Sequence, residues 1–81
     1  MEKRLGVVGI IVENTEHAQE INEILHGFSD IIVGRMGIPY KERGLSVISL
    51  IVDGSMDKIS SMTGKLGKIS SISVKSAISK K

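Results

Sequence analysis

The sequence has no cysteine and no tryptophan, and only one phenylalanine, one tyrosine and one proline. Without cysteine there is no disulfide framework, no thiolate metal site and no thiol nucleophile, and nothing demands an oxidising compartment, so the cytoplasm is the expected location. With so few rings, the core has to be filled by Ile, Val, Leu and Met, an aliphatic and β-branched supply that favours sheet. Charge of one sign is scarce too. Eleven basic against nine acidic residues leave a formal charge of +2, too mild for the footprint of a nucleic-acid surface. No helix-turn-helix or basic arm is written either, and direct nucleic-acid binding is not expected. Long hydrophobic runs are also missing. The stretch Leu5 to Val12 has eight residues, well short of the ~20 that span a membrane. Although Met-Glu-Lys-Arg precedes it, no small-residue cleavage site follows, and it reads as a strand rather than a secretory signal.

What remains, in 81 residues, is enough for one domain over 1–81, close to the size below which association helps a chain bury its surface. Leu5 to Val12 is apolar almost throughout, the mark of a strand covered on both sides. Asn14 or Thr15 can cap a following helix, with Glu16 at its positive end. Ala18, Ile21, Leu25 and Phe28 recur at helical spacing with Ile24 beside them, and Gly27 is placed to end the helix as a left-handed C′ residue. Asp30 to Ile38 alternates less cleanly and carries Arg35 and two glycines, which suits an edge strand. Pro39 to Gly44 is expected to be a connection, because proline has no N–H for a ladder. Leu45 to Val52 is a second doubly apolar strand. Ser55 then offers an N-cap, with Asp57 in the first turn, to a helix whose stripe is Ile59, Met62 and Leu66 and which Gly67 closes. The last strand, about Ser70 to Ile78, sets Ile72, Val74 and Ser76 against Ser71, Ser73 and Lys75.

The order β-α-β-β-α-β predicts an α+β, ferredoxin-like sandwich in which an antiparallel sheet carries both helices on one face. Right-handed crossovers put the first and third strands in the centre, and these are the most apolar. Val8, Ile10, Ile48 and Leu50 could lie on either sheet face. Since the helices cover one face only, the other calls for a partner, expected to be a further copy of the chain in a homodimer or homotetramer.

Chemistry-bearing constellations are sparse. His17 and His26 stand nine residues apart, a rotation of roughly 900° that puts them on opposite sides of one helix. Neither has an evident acid partner in the sequence, no Gly-x-Ser-x-Gly elbow exists, and an enzyme is not expected. The steps Gly64-Lys65 and Gly67-Lys68 lack the glycine and hydroxyl spacing of a phosphate loop. One segment stands apart, Gly34-Arg35-Met36-Gly37-Ile38-Pro39-Tyr40. Arg35 offers a fork of donors to a carboxylate or phosphate, and Gly37 allows a ligand or a neighbouring backbone to come close. With the helix start at Asn14 and Thr15 as a second source of donors, Asn14, Thr15, Arg35, Gly37 and Tyr40 form the candidate ligand-binding set. A structural account competes, with Arg35 and Tyr40 as interface residues and the glycines bending an edge strand.

The runs Gly-Arg-Met-Gly-Ile-Pro-Tyr, Val-Ile-Ser-Leu-Ile-Val-Asp-Gly, Thr-Gly-Lys-Leu-Gly-Lys-Ile and Ser-Val-Lys-Ser together resemble the small iron-only hydrogenase system regulators over nearly the whole chain. That resemblance implies an ACT-like fold, akin in shape to the ligand-binding domain of the nickel-responsive regulator, and a regulatory, ligand-sensing role with a small effector. The alternative is a module that docks a different protein and holds no small molecule. The resemblance names no cofactor. The nickel ligands of that related domain include a cysteine, which this chain does not have, and the glycine that usually follows the first strand of amino-acid-binding ACT domains is replaced here by Glu13-Asn14-Thr15-Glu16.

Overall fold

The computed structural model describes residues 2–80. Its elements are β1 (Arg4–Val12), a 3-10 turn (Thr15–His17) running into α1 (Ala18–Gly27), β2 (Ile32–Tyr40), a second 3-10 turn (Lys41–Arg43), β3 (Leu45–Gly54), α2 (Met56–Gly67) and β4 (Ile72–Ile78). All pairings are antiparallel and the strand order is β2-β3-β1-β4. The two most apolar strands are therefore the inner ones, and the α+β ferredoxin-like arrangement expected from the sequence is the one observed.

Local chemistry explains the start of α2 and of the 3-10 turn that leads into α1, whose own N-cap, His17, makes no side-chain cap bond. Asn14 Oδ1 accepts from the Glu16 N–H at 2.9 Å, and Ser55 Oγ accepts from the Lys58 N–H at 3.2 Å, each satisfying an amide that has no partner inside the helix. One end differs from expectation. Gly27 is the last residue of α1 rather than a left-handed cap, and Phe28 takes the cap position, whereas Gly67 closes α2 as expected, with Lys68 as its cap. The chain tightens instead: the Phe28 N–H bonds the Leu25 carbonyl at 3.1 Å and the Ile69 N–H that of Leu66, also at 3.1 Å, and such i to i−3 bonds need no positive φ. Among the described residues positive φ occurs at Gly44, which closes the second 3-10 turn, and at Ser71, which enters β4.

Alternation sorts the inner strands cleanly. Val8, Ile10 and Val12 of β1 and Leu50 and Val52 of β3 are buried against Ile21 and Leu25 of α1 and Ile59, Met62 and Leu66 of α2. Ile48 shares that side, so the four residues whose face the sequence left open all look toward the helices. The opposite face carries Leu5, Val7, Ile11, Val47 and Ile51, all exposed. Two glycines exist for the core: a Cβ on Gly6 would stand 2.5 Å from Ile78 Cδ1, and one on Gly54 2.6 Å from Ile31 Cγ2.

β2 departs from simple alternation, and the departure places the site. Ile32 pairs with Val52 while Gly34 pairs with Ile51, so Val33 is an extra residue, a β-bulge. One extra residue inverts every side chain beyond it. Arg35, Gly37 and Pro39 thereby face the helix side, opposite Leu50, Ile48 and Ser46, while Met36, Ile38 and Tyr40 join the open face. The strand also runs further than expected. Pro39 and Tyr40 are paired with Ser46 and Leu45, because an edge strand has one side without a ladder to which a missing N–H makes no difference.

Candidate functional site

Helix-side positions of β2 would normally carry aliphatic side chains under α1. Here they carry Arg35, Gly37 and Pro39, and the space an Ile or Val would fill is a cleft of about 180 Å³. Its floor is Gly37, Pro39, Ser46 and Ile48, and its opposite wall is Thr15, Ala18, Ile21 and Asn22 of the α1 side. A Cβ built on Gly37 would meet only Ile48 Cγ1, at 4.0 Å. Nothing in the chain's own packing obliges this residue to be glycine; a side chain there would simply occupy the cleft.

Arg35 stands at the cleft margin, where its Nη2 donates to Asn22 Oδ1 at 3.1 Å. Among the described residues no carboxylate pairs with it. One arm of the guanidinium is held by a neutral amide, and the rest of the donor fork is left for an incoming acceptor. The cleft thus joins a mostly aliphatic interior to a single cation on its rim, geometry suited to a small anion with a short apolar body.

The structure brings Thr15, Arg35 and Gly37 around one cleft. Asn14 is adjacent, its side chain engaged as the helix cap. Tyr40 is not with them: it lies on the open sheet face, beside Ile11, Leu45 and Val47. Asn22 was not anticipated. Its signal was a polar residue one turn after Ala18, set beside the apolar stripe of Ile21 and Leu25 rather than opposite it.

His17 has neighbours that the sequence did not reveal. Glu20 Oε1 is 3.5 Å from its Nδ1 and Ser70 Oγ is 3.4 Å from its Nε2. The order acid, imidazole, hydroxyl is that of a hydrolase relay, yet both separations exceed the usual hydrogen-bond range and Ser70 is exposed on a turn. The trio lies between the start of α1 and the entrance of β4. Among the described residues no three His, Asp or Glu side chains converge to hold a metal ion, and no helix is long and apolar enough to cross a membrane.

Strand order and paired helices define a ferredoxin-like domain, here with a cleft under α1 and an apolar sheet face left open. The chain belongs to the TM1266-like family, whose model, described as "Iron-only hydrogenase system regulator, putative", matches residues 4–76. It is similar to the solved structure of the uncharacterized protein TM1266 from Thermotoga maritima, with 36% identity and a TM-score of 0.92 over 98% of this chain and 100% of that one. No curated protein matches the chain significantly.

Proposed function

We propose that this chain is a regulator within an iron-only hydrogenase system, working in the cytoplasm as an assembly of its own copies and sensing a small anionic effector in the α1–β2 cleft. The family description supports the regulatory role. One observation carries the ligand reading: Arg35 sits at the mouth of an apolar cleft, oriented by Asn22 and unpaired with any carboxylate among the described residues. A surface arginine with no task is normally free to rotate in water. Here its hydrogen bond to Asn22 turns it toward a hollow that the chain does not fill.

A thermal-shift series with isovalerate, its uncharged amide isovaleramide and inorganic phosphate tests the reading. Isovalerate is expected to raise the melting temperature of the wild type, isovaleramide to raise it far less, and Arg35→Ala to remove the response to isovalerate. An Arg35→Ala protein that responds like the wild type, or a wild type indifferent to every probe, would sink it. Indifference would favour the second reading, a docking module without a small ligand, to which the open apolar face gives independent weight.

A further inference from the structure

The open sheet face is unusual in what lies at its centre. β1 and β3 are the middle of the sheet, where β-branched residues are favoured and glycine weakens a strand. Yet Gly9 stands midway along β1, paired with Ser49 on one side and Lys75 on the other. Gly6 and Gly54 have a reason inside the molecule, because a side chain at either would collide with Ile78 or Ile31. Gly9 has none: the nearest atom to a Cβ built there is the Lys75 carbonyl oxygen, at 3.9 Å. A strand glycine that its own fold does not need marks a place where another surface comes close.

The surroundings of Gly9 have a definite shape. Val7 pairs with Ile51 one row to one side, and Ile11 pairs with Val47 one row to the other. Four branched side chains therefore rise around a shallow socket floored by Gly9 and Ser49. All four are substantially exposed, Val7 at 48% and Ile51 at 46%. With Leu5 and the outward Met36 and Ile38 of β2, the patch runs unbroken across three strands, each of these apolar side chains being 39% exposed or more, a contiguous apolar area of the kind that marks an interface between chains.

We propose that this face docks a second copy of the chain, sheet against sheet, with each copy's Gly9–Ser49 socket receiving branched side chains from the other. Knob and socket are present on the same face one row apart, so a two-fold axis across the strands uses each of them twice, as an isologous contact requires. The charges on the face fit the same occupant. Asp53 and Glu13 are balanced by Arg43 and by Lys75, which flanks the socket beside Gly9, so the face is close to neutral and gives a strongly charged partner nothing to recognise. The inference rests on the proposed assembly of copies and adds to it the surface and its fit.

Sedimentation equilibrium of the full chain over a hundredfold concentration range tests it. Wild type is expected to associate at micromolar concentration. Gly9→Val fills the socket without touching the core, and Ile51→Asp places a charge among the knobs; each is expected to weaken association at least 100-fold with circular dichroism unchanged. A wild-type tetramer that both variants reduce to a dimer supports the inference equally. If wild type associates and both folded variants associate as tightly, this face is wrong while assembly stands. If wild type is monomeric throughout, both fall.

Discussion

At the scale of the residue, glycines separate what the fold requires from what it leaves open. Gly54→Ala pushes a methyl group into the side chain of Ile31 and is expected to cost about 1–3 kcal/mol in urea denaturation, the usual penalty of overpacking. Gly37→Ala meets nothing closer than ordinary contact. It is expected to hold or raise stability by up to about 1 kcal/mol while diminishing the Arg35-dependent thermal shift, since its methyl group occupies the cleft. A shift undiminished in Gly37→Ala would place the effector elsewhere. The unusual residue types, Arg35 and Gly37, were legible because nothing in a sheet asks for them. Tyr40 was grouped with them by proximity in sequence, but odd and even positions beyond the bulge look in opposite directions. Asn22 escaped notice because a polar helix residue reads by default as facing water.

Elements were more readable than their ends. Strands β1 and β3 announced themselves by unbroken apolar runs, and the stripes Ile21-Leu25 and Ile59-Met62-Leu66 are the ones that are buried. What the sequence hid was the bulge at Val33, since an extra residue in an edge strand changes only the register and has no compositional mark. The end of α1 was misplaced because glycine at a boundary suggests a left-handed cap even where i to i−3 bonds suffice. One tie between elements has a pH signature. Lys58 Nζ donates to Asp30 Oδ2, linking α2 to the turn before β2, and this hydrogen bond is the chief reason why the Asp30 carboxyl titrates below its ordinary value. A lowered native value means that the stabilisation is present above the unfolded range, near ~4, and is lost as pH falls through the lowered value. Wild type is therefore expected to exceed Asp30→Asn in melting temperature at neutral pH by a small margin that salt reduces, because the pair is exposed. That margin should close on acidification. A difference that persists at the acid end would point to the asparagine itself rather than to the ion pair.

For the whole molecule, the consequential fact is that one sheet serves two surfaces. Arg35 and Gly37 face the cleft while Met36 and Ile38, interleaved with them, face the open side. If copies meet there, folding and association are one equilibrium, and the melting temperature should climb by about 4 °C for each tenfold rise in protein concentration. A flat dependence across two decades, read by calorimetry, would mean that the protomers melt independently.

Tyr40 gives this architecture a built-in optical probe. The chain has a single tyrosine and no tryptophan, and that phenol ring lies on the exposed sheet side next to Ile11 and Val47. Its ultraviolet emission therefore arises at one known location, and unlabelled protein can report through its own fluorescence when that location loses contact with solvent.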